Sequence, residues 1–255
     1  MPSRTREPNW KRWLASWDRQ QESFNPDRER RFEAMFDVLA AQGRSQLQIL
    51  DLGCGPGSLT LRALRRFPRA RSIAVDFDPV ILRIARGAVG SMAGRVTWVD
   101  ADLRRSGWEE NLPRRRFDAA ISTTALHWLE SADIGRLYRT VYRLIRPGGL
   151  FVNGDHFPWP RQETRLRKLT EAIRRTRIRS KPARSHDAWT QWWRSLEREK
   201  FLRPEFQERA IRFAVHPHHE GPGFEVHLNA LRRAGFRDVA TVWQDLENRV
   251  LVGLR

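Results

Sequence analysis

Apolar residues follow two alternating patterns along the middle of the chain. Short apolar runs, typical of buried strands, are separated by segments in which apolar residues recur every three or four positions, as on one face of a helix. The predicted strands cover residues 48–52, 72–76, 96–100, 117–122 and 150–154. The predicted helices between them cover residues 58–66, 79–89 and 134–145. Strands that alternate with helices predict an α/β fold with a mostly parallel, doubly wound sheet.

Two further helices are predicted before the first strand. The first carries Trp10, Trp13 and Trp17 on one face, because the spacing between them is three and four residues. The second begins after Asn25, a common helix-capping residue that proline follows, and it ends at Gly43. We expect the tryptophan face of the first helix to pack into the core.

The alternation stops at about residue 157. Residues 158–222 are rich in arginine and tryptophan, and they include predicted helices at 163–177 and 188–199. A helix at 226–234 and strands at 239–243 and 250–254 are predicted after this region. We therefore divide the chain into N-terminal helices (1–45), an α/β core (46–156), a helical insertion called the cap below (157–223) and C-terminal strands that complete the sheet (224–255).

Composition narrows the class of protein. The chain has 255 residues, of which 40% are hydrophobic and 10% aromatic, so a sizeable core is expected. It contains no run of 18 apolar residues that could cross a membrane, and its first residues lack the apolar run of a signal peptide. The single cysteine, Cys54, excludes an intrachain disulfide and a cysteine-rich zinc site. We expect a soluble, cytoplasmic protein.

Charge raises the question of a nucleic-acid partner. The formal net charge is +17, which is typical of proteins that bind nucleic acids. However, 43 of the 47 basic residues are arginine, and a phosphate-binding face has no need to avoid lysine. We therefore favour a compositional origin, such as a GC-rich genome. The basic run at residues 174–184 is interpreted as a solvated face, with attraction of an acidic ligand as the alternative.

The strongest local motif is Ile-Leu-Asp-Leu-Gly-Cys-Gly-Pro-Gly at residues 49–57. An acid near the end of a predicted strand, Asp51, precedes three glycines: Gly53, Gly55 and Gly57. Glycines at the carboxyl end of the first strand let backbone approach a ligand closely. A dinucleotide fingerprint fails because Ser58 stands where a third glycine is required, and no P-loop sequence exists. A carboxylate suits an ammonium group better than a phosphate, which indicates S-adenosylmethionine as the ligand.

Acids also end the next two predicted strands. Asp76 ends the second strand, where a carboxylate can accept both hydroxyls of a ribose. The third strand ends in Asp100-Ala101-Asp102, where a carboxylate can meet the amino group of adenine. We favour Asp102 for this contact, and Asp100 is the alternative. Three acids at three successive strand ends are a stronger signal than one glycine loop.

These features resemble the class I S-adenosylmethionine-dependent methyltransferases. The resemblance covers residues 46–156 and 224–254, and it includes Leu-Ile-Arg-Pro-Gly-Gly at 144–149 before the fifth strand. It implies a Rossmann-like, seven-stranded sheet whose last strand is antiparallel, and S-adenosylmethionine as the cofactor. The implied cofactor-binding residues are Asp51, Gly53, Gly55, Gly57, Asp76, Phe77, Asp102, Leu103 and Ser122, with Trp17 closing over the cofactor.

Within that family, Ala125-Leu126-His127-Trp128 resembles the small-molecule branch that includes trans-aconitate and malonyl-carrier methyltransferases. The Pro-Pro motif of enzymes that methylate exocyclic base amino groups is absent from the sequence, and so is a nucleophilic cysteine beyond the fourth strand. The resemblance therefore implies methyl transfer to an oxygen or nitrogen of a small molecule, and the arginine excess favours an acceptor that carries a carboxylate. The predicted substrate-binding residues are His127, Trp128 and Trp159, and His127 is also a candidate general base. Trp189, Trp192 and Trp193 of the cap are interpreted as further lining of an acceptor pocket together with Trp159, with simple packing as the alternative.

Two alternative functions stay open. One is an RNA methyltransferase that uses the basic cap, and the other is a non-catalytic binding protein that kept the cofactor fold. A cluster of His216, His218, His219 and Glu220 invites a metal site, but its Pro- and Gly-rich surroundings favour an exposed loop, so no metal is predicted. The acceptor, the methylated atom and the oligomeric state are not determined by the sequence.

Overall fold

The computed structural model of the chain describes residues 8–25, 27–179, 187–215 and 221–255. The strands are β1 (Gln48–Leu52), β2 (Arg71–Asp76), β3 (Val96–Asp100), β4 (Phe117–Thr123), β5 (Ile145–His156), β6 (Arg237–Asp245) and β7 (Asn248–Leu254). The helices are α1 (Trp10–Phe24), α2 (Arg28–Ala40), α3 (Ser58–Arg66), α4 (Pro79–Ala88), α5 (Ser131–Leu144), α6 (Thr164–Arg179), α7 (Asp187–Glu197), α8 (Arg203–Ala214) and α9 (Phe224–Ala234). Short 3₁₀ helices cover Trp108–Asn111, Leu126–Trp128 and Lys200–Leu202.

The seven strands form one sheet in the order β3-β2-β1-β4-β5-β7-β6. Neighbouring strands from β3 to β5 are parallel, whereas β7 is antiparallel to both β5 and β6. The predicted α/β class, the doubly wound sheet and the antiparallel last strand are confirmed.

Alternate side chains of the central strands feed two apolar cores, one on each face of the sheet. In β1, Ile49 belongs to the core that α2 and α3 cover, while Leu50 belongs to the core that α5 and α9 cover. Both side chains are fully buried, which explains why the central strands read as continuous apolar runs. The sheet core therefore follows directly from the hydrophobic pattern.

Chain direction brings the ends of β1 to β4 to one edge of the sheet. The strand order reverses between β1 and β4, because the chain runs outward from β1 through β2 to β3 and then returns to the other side of β1. Open α/β sheets bind ligands at the carboxyl ends of the strands beside such a reversal. The glycine loop, which we define as residues 53–57, follows β1 at this point.

Two local predictions are corrected. Asn25 ends α1, with its N–H bonded to Gln21, and does not cap α2, whose N-cap position is Asp27. The sequence predicts that the segment including Gly148 is a turn before the fifth strand. In the structure β5 starts earlier, at Ile145, which pairs with Phe117 of β4. The register between the two strands shifts after this pair. A strand that contains a bulge escapes detection by a simple apolar pattern.

Helices of the cap pack against the N-terminal helix. Trp192, Leu196 and Leu202 form a third apolar cluster with residues of α4, and the three tryptophans of α1 pack against it. Trp10 lies so close to Gly87 of α4 that a Cβ there would come within 2.3 Å of its indole ring. Helix α1 and the cap therefore form one structure above the carboxyl edge of β2, although they are distant in sequence.

Candidate active site

A cavity of about 890 Å³ lies at the carboxyl edge of the sheet. Its wall is built from the loops that follow β1, β2, β3 and β4, together with side chains of α1, α7 and α8. Pockets that enclose small molecules or cofactors in proteins measure roughly 300–1,000 Å³. The cavity therefore has room for a nucleoside-sized ligand and a small second molecule.

Glycine is required at two positions of the glycine loop because neighbouring parts of the structure come very close to the backbone there. Gly53 has a φ of +67°, and a Cβ on it would lie 2.4 Å from the Cβ of Ala125, so the loops after β1 and β4 can meet only at a glycine. Gly57 has a φ of +88° and starts α3, and a Cβ there would meet the ring of Trp98. Gly53 and Gly55 line the cavity, whereas Gly57 faces away from its wall.

Asp51 is fully buried at the end of β1 and lies behind the cavity wall. One of its oxygens, Oδ2, accepts a hydrogen bond from Thr60, and the other has no hydrogen-bond partner in the described structure. Burial raises the pKa of this carboxyl to about 7, and the nearby Asp76 adds to the effect. A cation brought to this end of the cavity would stabilise the ionised carboxylate.

Asp76 connects the glycine loop to the end of β2. Its Oδ2 accepts a hydrogen bond from the N–H of Gly55 at 2.8 Å, and its Oδ1 accepts from the N–H groups of Phe77 and Asp78 at 2.8 and 3.1 Å. Burial raises the pKa of Asp76 to about 6, and these hydrogen bonds oppose the rise. Asp76 and Phe77 both line the cavity, as the ribose assignment requires.

The two candidate acids after β3 have different surroundings. Asp102 lines the cavity beside Leu103, and the guanidinium of Arg104 binds its carboxylate at 2.7 and 3.0 Å. Asp100 lies outside the wall and forms an ion pair with Arg212 of α8 at 2.6 Å. The geometry favours Asp102 over Asp100 as a ligand-contacting acid.

The chain after β4 forms another part of the wall. Ser122 is buried and donates a hydrogen bond to the carbonyl of Leu52 at 2.7 Å, so it holds β4 to β1 and does not reach the cavity. Thr124 lines the cavity with a φ of +52°, which is a strained conformation for a β-branched residue. Trp128 also lines the cavity, and 44% of its surface is exposed.

His127 is oriented by an acid that the sequence interpretation missed. Its side chain lies outside the cavity wall, with Nδ1 at 2.8 Å from a carboxylate oxygen of Asp155 at the end of β5. Burial alone would raise the pKa of Asp155, but His127 and Arg31 hold it at about 2. Asp155 directly follows the predicted strand 150–154, so the positional signal that identified Asp76 and Asp102 was present here too.

The predicted tryptophans separate into two groups. Trp17 lines the cavity and lies 4.0 Å from the position that a Cβ on Gly55 would occupy. Trp159 is outside the wall, where the guanidinium of Arg249 lies 4.7 Å from its ring. The cap supplies two other indoles to the wall, those of Trp189 and Trp193.

Most of the predicted site residues meet at the cavity. Those in its wall are Trp17, Gly53, Gly55, Asp76, Phe77, Asp102, Leu103 and Trp128. Those outside its wall are Asp51, Gly57, Ser122, His127 and Trp159. Two of the residues outside the wall support the loops that form it. Ser122 donates a hydrogen bond to the carbonyl of Leu52 and so holds β4 to β1, and Gly57 leaves room for the ring of Trp98 where α3 starts.

The described residues offer neither a cluster of metal ligands nor a membrane-spanning helix. Within them, no three His, Cys, Asp or Glu side chains converge as ligands for a metal ion. The histidines at 216, 218 and 219, Glu220 and part of the basic run at 174–184 lie outside the described residues. None of the helices in the described ranges combines the length and apolar character that a membrane crossing requires.

Comparison with known families gives an independent line of evidence. Residues 49–149 match the family described as "Methyltransferase domain". This region runs from β1 to the early part of β5, and it includes the glycine loop, Asp76, Asp102 and Trp128.

Curated relatives match the same region. The chain is 33% identical over 140 residues to a trans-aconitate 2-methyltransferase of Azoarcus sp. (strain BH72), a match that covers 54% of this chain and 50% of the relative. It is 34% identical over 126 residues to a malonyl-[acyl-carrier protein] O-methyltransferase of Geobacter sulfurreducens, covering 49% of this chain and 44% of the relative. The chain thus spans about half the length of these curated relatives.

Solved structures extend the likeness to the whole fold. An O-methyltransferase family protein from Burkholderia thailandensis superposes with a TM-score of 0.54 and 18% identity, covering 82% of this chain and 51% of that one. An O-methyltransferase, described as putative, from Nostoc punctiforme superposes with a TM-score of 0.55 and 16% identity, covering 92% of this chain and 59% of that one. At these identities the superpositions establish the fold alone. The family match shows a methyltransferase domain over residues 49–149, and the strand order of the sheet agrees with the fold of these solved structures.

Proposed function

We propose that this protein transfers the methyl group of S-adenosylmethionine to an oxygen or nitrogen atom of a small-molecule acceptor. The observation that carries the proposal is the cavity at the carboxyl edge of β1 to β4, whose wall joins the glycine loop to Asp76 and Asp102. The curated relatives named above support a small acceptor, because both are named for methylation of small molecules or of a small carrier-bound group.

The residues present fit the cofactor. Asp51 is fully buried behind the wall with one oxygen unpartnered, so it would favour an ammonium group at this end of the cavity through its charge and not through direct contact. Asp76 retains acceptor capacity for ribose hydroxyls, because a carboxylate has about four lone-pair sites and three are in use. Asp102 and Leu103 would hold the adenine, and Gly53 and Gly55 would let the ligand approach the backbone.

When bound, S-adenosylmethionine would supply a methyl group already activated by its sulfonium, and its transfer to the acceptor would leave S-adenosylhomocysteine and a released proton. The chain's own task is then to orient the acceptor and exclude water. Trp128 has a large rigid ring in the wall for this purpose. The general-base role of His127 stays a prediction, and the proposal does not depend on it.

Removal of the Asp76 carboxylate tests the cofactor assignment. We expect Asp76→Ala to weaken binding of S-adenosylhomocysteine by roughly 10- to 150-fold, since loss of hydrogen bonds to a charged acceptor costs about 1.5–3 kcal/mol. Titration calorimetry measures this, with Asp100→Ala as the matched control, because Asp100 pairs with Arg212 outside the wall. Unchanged affinity in Asp76→Ala, or equal affinity of the protein for NAD, would contradict the assignment.

Turnover separates the three candidate functions. Release of S-adenosylhomocysteine is measured with a panel of hydroxyl, amine and carboxylate compounds, and in parallel with transfer RNA. We expect turnover with members of the small-molecule panel. Methyl groups found only in RNA would support the RNA methyltransferase, and tight cofactor binding without any turnover would support a non-catalytic binding protein.

A further inference from the structure

We propose that the methyl acceptor is an uncharged, planar aromatic molecule, held against rings that α1, α7 and α8 contribute to the cavity. The inference rests on the proposed function, because it assigns the second occupant of the same cavity. It departs from the carboxylate-bearing acceptor that the arginine content favoured, and the reasons are the arrangement of rings and the distribution of charge around the cavity.

Four rings form what we call the ring wall: Trp17, Trp189, Trp193 and Phe213. The centroids of Trp17 and Trp189 are 5.6 Å apart, and those of Trp189 and Trp193 are 5.8 Å apart in an edge-to-face arrangement. Trp17, Trp189 and Trp193 therefore contact one another in series. Phe213 instead stacks against Phe77 and shares the guanidinium of Arg209 with Trp193. Spacings of this size are the ones that aromatic pairs prefer, so another ring can join the series.

Packing alone does not account for these rings. Trp192, on the same helix, is only 6% exposed, and its N–H donates to the hydroxyl of Ser16 at 2.9 Å, as expected for a core tryptophan. Trp17 and Trp189 are instead half-buried and line the cavity. Helix α7 thus directs one indole into the core and others toward the cavity.

Arg209, which also lines the cavity, holds two rings of the ring wall in position. The guanidinium of Arg209 lies 4.0 Å from the ring centroid of Trp193 and 4.2 Å from that of Phe213, so it stacks against both. Its Nε donates to Asp78 at 2.7 Å, which attaches α8 to the start of α4. Rings fixed in this way bind a flat ligand with little loss of side-chain freedom.

Charges around the cavity balance, despite the net charge of the chain. Its described wall contains five arginines (Arg28, Arg104, Arg105, Arg136 and Arg209) and five acids (Asp76, Asp78, Asp102, Glu130 and Asp133).

Most of these arginines are already neutralised. Arg28 pairs with Asp18, Arg104 with Asp102, Arg136 with Asp133 and Arg209 with Asp78. Among the described wall residues, Arg105 lacks an ion pair, and it is exposed. A carboxylate acceptor would find no buried guanidinium free to compensate its desolvation, whereas an uncharged ring has no such cost.

The test uses the protein saturated with S-adenosylhomocysteine and three probes that separate planarity from charge. The probes are 2-naphthol, its saturated analogue decahydro-2-naphthol and the anion 2-naphthoate. We expect 2-naphthol to bind about tenfold more tightly than the saturated alcohol, because contacts with two or more rings each add a few-fold. It should also bind more tightly than 2-naphthoate. Calorimetry or ligand-observed NMR measures the three affinities.

A pair of substitutions at one position locates the binding. We expect Trp189→Leu to remove most of the preference for 2-naphthol over decahydro-2-naphthol, and Trp189→Phe, which keeps a ring, to retain it. Affinity for S-adenosylhomocysteine should stay within a few-fold in both variants, which also shows that they are folded.

Outcomes distinguish the acceptor inference from the proposed function. If the wild-type protein does not bind S-adenosylhomocysteine, the proposed function fails. If it binds S-adenosylhomocysteine but prefers 2-naphthoate, or does not prefer 2-naphthol to decahydro-2-naphthol, the acceptor inference is overturned and the proposed function stands. If Trp189→Leu leaves the preference unchanged, the ring wall is not the acceptor site and the inference is overturned.

Discussion

Three acids at the same edge of the sheet have very different acidities, and their surroundings explain why. Burial raises the pKa of Asp51 to about 7 and that of Asp76 to about 6, and the neighbouring carboxylates of Asp76 and Asp78, respectively, add to the rise. Asp155 is also fully buried, yet His127 and Arg31 hold its pKa at about 2. The pKa values thereby separate Asp51 and Asp76, which we propose to act on the cofactor, from Asp155, whose carboxylate is bound within the protein.

Cofactor affinity should depend on pH because of Asp51. The raised pKa means that this carboxyl is protonated below about pH 7 in the free protein, whereas an ammonium group favours its ionised form. Affinity for S-adenosylhomocysteine should therefore fall as the pH decreases below about 7, by up to roughly tenfold per pH unit. Calorimetry between about pH 5.5 and about pH 8 measures it. Asp51→Asn should give weaker binding with a flatter profile, and a flat wild-type profile would argue against the role of Asp51.

Asp155 should contribute to stability at neutral pH. Asp155→Asn removes the carboxylate that bonds His127 at 2.8 Å and whose charge also acts on the buried Arg31, and loss of a hydrogen bond to a charged group costs about 1.5–3 kcal/mol. Because the folded pKa of Asp155 is depressed, its contribution is complete above the ordinary pKa near 4 and is lost only as the pH falls toward about 2. Urea unfolding should show a constant difference between wild type and variant from pH 7 down to about pH 4. A difference that disappears over that range would mean that Asp155 is not ionised as described.

At the scale of elements, the hydrophobic pattern along the chain predicted the strands and helices whose positions depend only on which residues are buried. The strands from β1 to β4 were located because both faces of the sheet are covered, and the acids at their ends were found by position. Contacts between distant segments were not predictable, since no local pattern encodes them. Arg212 meets Asp100 across 112 residues, and Trp192 meets Ser16 across 176.

The hydrophobic pattern also could not predict which side chains of the short 3₁₀ helix Leu126–Trp128 face the cavity. A single turn has no hydrophobic period to show which residue faces the ligand. The structure turns Trp128 toward the cavity and His127 toward Asp155, so two adjacent residues with the same predicted role have different surroundings.

This difference predicts unequal effects of substitution. With an acceptor identified from the panel, Trp128→Ala should lower turnover strongly while affinity for S-adenosylhomocysteine stays within a few-fold, because the residues assigned to the adenosine lie at the ends of β2 and β3. Trp159→Ala should have little effect on either, as Trp159 lies outside the wall. Parallel loss of cofactor binding and rate in Trp128→Ala would place this residue in the cofactor site.

At the scale of the whole molecule, the positive charge should not make the protein a tight nucleic-acid binder. Many of the described arginines are engaged in ion pairs or lie over aromatic rings, as Arg62 and Arg255 do. We expect nonspecific duplex DNA or RNA to bind with dissociation constants of about 10⁻⁴–10⁻⁶ M at physiological salt. Fluorescence anisotropy across a salt series measures this. Tight, structure-selective RNA binding would instead favour the RNA methyltransferase.

The position of β7 between β5 and β6 has a consequence for how the protein is made. A ribosome delivers residues 237–245 before residues 248–254, yet β6 has no partner in the described sheet until β7 arrives. During synthesis β5 likewise presents an unpaired edge from the time it leaves the exit tunnel, and such edges are templates for aggregation. Pairing of β5 with β7 also joins segments about a hundred residues apart, which is intrinsically slow. Chaperone dependence of the newly made chain should therefore concentrate in the interval just before its last strand emerges.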